Sequence, residues 1–236
     1  TAAVVITGAT PVYYRCRPEN GFVPDPEEIA RLAASPRMKA IVLINPNNPT
    51  GAVYPRPVLE AIVRVAEKNR LVLFSDEIYD RILYDGATHV PSATLCEDTL
   101  CATFGGLSKV YRACGFRTGW VTFSGKKARA TDYLATIELL ASLRLCANVP
   151  GQWAVQTALG GVQSIYELTA PTGRLGRQRA AVLRGIAKSS FLSVVPPSGA
   201  MYAFPRVKDL PGFDDAKFAM ALLEEEHVLV VPGSSF

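Results

Sequence analysis

A chain of 236 residues, 49% of them hydrophobic, is long enough to bury a sizeable core as one large domain or two smaller ones. Its formal net charge of +4 is scattered rather than massed with aromatic residues on one element, which argues against a nucleic-acid-binding surface. No uninterrupted apolar run approaches the roughly 18 residues of a membrane span, and no charged-then-apolar signal segment opens the chain.

Residues 1–7 are apolar and stop at Gly8, as the tail of a helix does, and residues 11–16 then read as a short strand. Asp25-Pro26-Glu27-Glu28 offers an N-cap, a proline at the first helical position and acids in the first turn, predicting a helix to about residue 34. The β-branched run 41–45 reads as a buried strand that the Pro/Asn/Gly cluster of residues 46–51 stops abruptly. Val58, Ile62, Val65 and Ala66 recur at helical spacing, so a helix over 55–69 covers the sheet. Residues 71–75 form a second buried strand, and strand, helix, strand makes a crossover unit. Residues 100–104 give a third strand, followed by Gly105-Gly106 and Lys109, and 118–123 a fourth. Helices are predicted to residue 145, over 152–161, from 174 to 188 and over 214–226, with strands over 192–195, 201–204 and 228–231. The fold class is therefore α/β: a mostly parallel sheet sandwiched by helices over residues 1–172, followed by a smaller α+β unit over 173–236.

In open α/β sheets ligands sit beyond the carboxyl ends of the strands. Three successive strands here deliver Asn48, then Asp76 with Tyr79, then Lys109 to one end. A lysine amine becomes nucleophilic when burial or a neighbouring cation lowers its pKa, and its best-known use is condensation with a carbonyl cofactor. Arg117 suits a phosphate, because its planar fork matches that geometry. Each has a plainer alternative: Lys109 as a solvated charge, Asp76 as a turn cap, Asn48 as an Asx-turn residue before Pro49. Gly51 marks a sharp backbone turn. His89 and His227 read as ordinary surface or loop histidines, Tyr111 and Tyr202 as packing residues, and Arg144 as a solvated helix-end cation whose functional alternative is to hold a distal substrate carboxylate. The five cysteines have neither a C-x-x-C spacing nor companion histidines, so they read as reduced, mostly buried thiols of a cytosolic protein, with no metal site.

Asn45-Pro-Asn-Asn-Pro-Thr-Gly51, Ser75-Asp-Glu-Ile-Tyr79, Gly106-Leu-Ser-Lys109 and Gly115-Phe-Arg-Thr-Gly-Trp120, in that order, resemble the class I/II aminotransferases that use pyridoxal phosphate (PLP), the fold type I group. The run 137–161 is most similar to bacterial glutamate-pyruvate (alanine) aminotransferases of this class. The resemblance implies that Lys109 bonds the cofactor aldehyde and shuttles the substrate proton, and that Asp76 faces the pyridine nitrogen. It implies that Tyr79 and Asn48 hydrogen-bond the phenolic oxygen, Asn48 also reaching the substrate carboxylate, and that Arg117 pairs with the phosphate with Ser108 as an extra donor. Gly106 departs from the commoner family pattern, which has a serine three residues before the lysine.

The implied protein is a cytoplasmic homodimer acting on an amino acid and a 2-oxo acid, alanine and 2-oxoglutarate in the first instance. A C-S lyase, a transaminase of another pair, and a PLP-binding regulatory domain without turnover are the competing readings. Family members also carry an upstream Gly-rich turn and ring-stacking aromatic, and a downstream arginine for the substrate carboxylate. This chain is expected to be a piece of a longer enzyme that lacks them and turns over nothing alone.

Overall fold

The computed structural model describes residues 1–208 and 210–236. Strands β1 (Ala40–Ile44), β2 (Val72–Asp76), β3 (Leu100–Gly106) and β4 (Gly119–Gly125) form one sheet in that order, with β1, β2 and β3 parallel and β4 antiparallel to β3. Ile44 pairs with Asp76 and Asp76 with Phe104, so β1 and β2 end level with each other and β3 runs on to Gly106.

Helix α1 (Ala2–Ile6) precedes a segment that is not the strand its sequence predicts: residues 11–16 contribute only an isolated bridge from Cys16 to Pro24. Side chains hold this segment instead. Arg15 N–H donates to the Glu28 carboxylate and the Tyr14 hydroxyl to the Val42 carbonyl, at 3.3 and 2.8 Å. Helix α2 (Pro26–Ala33) starts where predicted because Asp25 accepts the N–H of Glu27 at 2.9 Å. Helix α3 (Arg56–Lys68) buries Leu59, Ile62, Val63 and Ala66. With α2 it seals Leu43, Leu73 and Cys101 of the sheet, each fully buried, into the main core. The opposite face carries Val42, Phe104 and Val121 exposed, with the Phe74 and Phe104 rings 6.1 Å apart. Tyr133 of α4 (Thr131–Arg144) meets Phe123 of this face edge-on at 6.4 Å.

Helix α5 (Val149–Gly160) and the short α6 (Ile165–Thr169) follow. The sequence shows no sign of α6, whose five residues are too few to display a period. Helix α7 (Arg174–Ala187) leads to β5 (Leu192–Ser193) and its antiparallel partner β6 (Arg206–Val207), and α8 (Asp215–Glu226) completes the fold. Neither 201–204 nor 228–231 is a strand. In 228–231 all four apolar side chains are exposed. No helix among the described residues is long and apolar enough to cross a membrane.

The backbone just before 201–204 is spent on a strap across the site end of the sheet. Ser198 and Gly199 N–H both donate to the Gly51 carbonyl, at 2.9 and 2.8 Å. Tyr84 N–H donates to the Ser198 carbonyl and Ala200 N–H to that of Ile82, both at 2.9 Å. Arg179 of α7 braces the strap through the Pro197 carbonyl at 2.8 Å. A second device anchors the end of β2. Glu77 is buried, accepting the Ser75 hydroxyl at 2.9 Å and Ser92 N–H at 2.8 Å, with His89 Nε2 at 3.0 Å. His89, in the loop after β2, is thus a buried partner of a carboxylate rather than a surface histidine, its side chain 8% exposed. Burial pushes the Glu77 carboxyl up, but His89, Ser92 N–H and the Ser75 hydroxyl together outweigh it and leave the group below its ordinary value.

These contacts set the stability of two variants. Gly51 has φ +72°, and a Cβ there would overlap Pro197 Cβ, so Gly51→Ala should cost about 2–4 kcal/mol in urea unfolding. Glu77→Gln should cost about 1–3 kcal/mol at pH 7. A depressed folded-state pKa stabilises above the unfolded value, near ~4.3, and that contribution fades as pH falls through the folded value. The gap between wild type and Glu77→Gln in urea midpoint should therefore shrink on acidification from about pH 6 to below about pH 4.

Candidate active site

The turn after β1 is built by two asparagines. Asn45 N–H donates to the Asp76 carbonyl at 3.0 Å, and its side-chain oxygen accepts Tyr54 N–H at 2.9 Å. Asn47 accepts the hydroxyl and N–H of Thr50, at 2.7 and 3.3 Å, and donates to the Tyr54 hydroxyl at 3.1 Å. The Asx-type contacts therefore belong to Asn47. The half-buried Asn48 amide has no side-chain hydrogen bond among the described residues and stays available to a ligand.

Asp76 closes β2 with one carboxylate oxygen accepting Ile78 N–H at 3.1 Å. Burial raises its pKa, the Ile78 bond opposes this, the charge of Glu77 adds to it and that of Lys109 counters it. A half-buried carboxylate with a single hydrogen bond is one that a cationic N–H would stabilise. Tyr79, 2% exposed, meets the Tyr202 hydroxyl at 2.6 Å, with the two rings edge-on at 5.6 Å. Burial first, then Tyr202, then the Asp76 charge push the Tyr79 phenol far above its ordinary value, so it is a protonated donor at neutral pH.

Lys109 and Arg117 share the connection between β3 and β4, closed at its base by the Gly106–Gly119 pair and by Leu107 N–H to the Thr118 carbonyl at 3.0 Å. The double glycine has a steric cause: a Cβ on Gly105 would lie 2.5 Å from the Trp120 indole nitrogen. Lys109 Nζ sits 5.8 Å from the centre of the Tyr79 ring and makes no ion pair among the described residues. The half-buried Ser108 hydroxyl is likewise without a hydrogen bond among them. Arg117 is exposed in the left-handed region at φ +49°, its guanidinium donating to the Cys114 carbonyl at 2.8 Å. The fold thus gathers Asp76, Tyr79 and Lys109, sets Asn48 on the adjacent turn, and leaves Arg117 on Lys109's loop with its guanidinium turned back.

Sequence reasoning took Tyr202 for packing, yet it bonds Tyr79 across 123 residues of chain. Only the strap brings it there, and no local spacing signals the contact. Arg144 ends α4 exposed, without an ion pair among the described residues. The donor set fits a phosphorylated aldehyde cofactor: an amine for the carbonyl, a carboxylate for a cationic nitrogen, and a phenol and an amide for an oxyanion.

The whole chain, residues 1–236, matches the family model described as "Aminotransferase class I and II", whose members use pyridoxal phosphate. It is 48% identical over 238 residues to "Glutamate-pyruvate aminotransferase AlaA" of Escherichia coli K12, covering 100% of this chain and 58% of that protein. It is 46% identical over 240 residues to "Alanine aminotransferase" of Mycobacterium tuberculosis H37Rv, covering 100% of this chain and 55% of that one. A crystal structure of an aminotransferase from Escherichia coli superposes with TM-score 0.93 at 48% identity, over 98% of this chain and 57% of that chain. The chain thus spans little more than half the length of the relatives it matches. With the family model spanning its whole length and the solved structure superposing over 98% of it, the chain belongs to the class I and II aminotransferases.

Proposed function

We propose that this chain holds pyridoxal phosphate and serves transamination between alanine and 2-oxoglutarate, giving pyruvate and glutamate. The observation that carries the cofactor reading is the meeting of Lys109, Asp76 and Tyr79 beyond the carboxyl ends of parallel strands. The substrate pair rests on the names of the relatives at 48% and 46% identity.

Bound pyridoxal phosphate supplies an aldehyde that reacts with amines and a ring that draws electrons from the substrate Cα. Lys109 would hold the cofactor's aldehyde and, when its amine is free, would move the substrate Cα proton, a transfer made efficient by its fixed position. Asp76, anchored by Ile78 N–H, gains a cation at its half-buried carboxylate and keeps the ring nitrogen protonated. Tyr79 and Asn48 donate to the phenolic oxygen, and Asn48 also reaches the substrate carboxylate. Arg117, whose guanidinium donates to the Cys114 carbonyl, would hold the phosphate by a stronger charge-assisted bond, and Ser108 would add a hydroxyl.

Residues 1–172 form the large cofactor-binding domain and 173–236 the small one, joined by α7 and the strap. The functional unit is a homodimer. Helix α4 buries none of its residues, and Leu139, Leu143, Leu145 and Trp153 stand exposed, an apolar surface that calls for a partner. Sedimentation should show a dimer, and a monomer at micromolar concentration would remove that assignment. The five free thiols suit a cytoplasmic setting.

Borohydride reduction of the PLP-treated full-length protein followed by peptide mapping should find the pyridoxyl label on Lys109, and Lys109→Ala should carry neither label nor activity. In the full-length protein, Asp76→Asn should lower transamination by roughly 10²-fold or more. Arg117→Ala should weaken cofactor binding by roughly tenfold or more. A label on another side chain refutes the assignment of Lys109. Ammonia and pyruvate released from an amino acid without an oxo-acid acceptor would replace transfer by elimination.

A further inference from the structure

Building on the cofactor reading, we infer that Tyr202 is a positioning residue: its hydroxyl, 2.6 Å from that of Tyr79, sets the direction in which Tyr79 donates its proton. Tyr79 is 2% exposed and Tyr202 is its only side-chain hydrogen-bond partner among the described residues, so water does not compete for the phenol. Two phenols in contact share one proton between their oxygens and leave the other free. Where an anionic oxygen faces Tyr79, the favoured arrangement has Tyr202 donating to Tyr79 and Tyr79 donating outward. Each bond of such a chain strengthens the next.

The geometry of Tyr202 is imposed rather than incidental. Two residues before it, Ala200 is fully buried in the left-handed region at φ +58°, a conformation that a non-glycine residue keeps only when its surroundings insist. Its N–H donates to the Ile82 carbonyl at 2.9 Å and its carbonyl accepts the Tyr84 hydroxyl at 3.0 Å. The same strap holds the Gly51 carbonyl through Ser198 and Gly199. One short segment therefore yokes the turn bearing Asn48 to the segment bearing Tyr79, the two donors assigned to the same phenolic oxygen.

The test is Tyr202→Phe, which removes one oxygen and keeps the ring that packs edge-on against Tyr79. The purified protein is loaded with pyridoxal phosphate, its visible absorbance is titrated against pH, and cofactor loss is followed after dilution. The variant should release cofactor about fivefold faster, the weight of one ordinary hydrogen bond. Its absorbance midpoint should move to higher pH, because a weaker donation from Tyr79 stabilises the phenolic anion less. In a Tyr79→Phe background the same substitution should add nothing, since its effect runs through Tyr79. An unchanged midpoint with only a lower melting temperature makes Tyr202 a packing residue and overturns the inference, as does an equal shift in the Tyr79→Phe background. Wild-type protein that develops no visible band with pyridoxal phosphate refutes the cofactor reading itself, a result distinct from a band shared unchanged by wild type and variant.

Discussion

Parallel pairing of β1, β2 and β3 is the constraint from which the rest of the molecule follows. Ile44, Asp76 and Phe104 lie in one row, so what leaves each strand emerges at a common edge. Parallel strands need a crossover between them, and α3 supplies the one between β1 and β2 while burying the sheet's inner face. Groups 61 residues apart, Asn48 and Lys109, thereby become neighbours of one carboxylate's strand end. The antiparallel β4 then returns the chain beside β3, which places Arg117 on the same loop as Lys109.

Asp76 and Glu77 are adjacent carboxylates with opposite electrostatic fates. Successive side chains leave an extended chain in opposite directions, so the two acids enter different surroundings. Glu77 turns inward to His89, Ser75 and Ser92, and three donors hold it ionised. Asp76 meets one N–H and the more distant charge of Lys109, and burial pushes its pKa up. The first acid stabilises the turn. The second is an incompletely compensated charge, which is what a cation-binding position requires.

The C-terminal third of the chain is coupled to this edge through backbone hydrogen bonds and through an apolar cluster in which Ile165 and Ala200 pack with Tyr79, Ile82 and Val110. The Gly51 carbonyl accepts two of them, and Pro197 sits where any side chain on Gly51 would intrude. Through this contact the turn after β1, the segment after β2 and helix α7 become one mechanical unit, with Arg179 gripping the Pro197 carbonyl from behind. Tyr202 is its product, a phenol delivered to a phenol.

Local signals along the chain specify what local physics controls. The cap at Asp25, the periodicity of Val58, Ile62, Val65 and Ala66, and the apolar runs ending at Asn45 and Asp76 define α2, α3, β1 and β2 without reference to distant residues. Motif order carried the family and the order of Asn48, Asp76, Tyr79 and Lys109 along the chain. Long-range packing settled that 11–16, 201–204 and 228–231 are not strands, because strand formation depends on packing against neighbours that the local sequence does not specify. Packing alone likewise buries His89 against Glu77 and brings Tyr202 to Tyr79, since a contact between residues far apart in sequence depends on where the intervening chain folds.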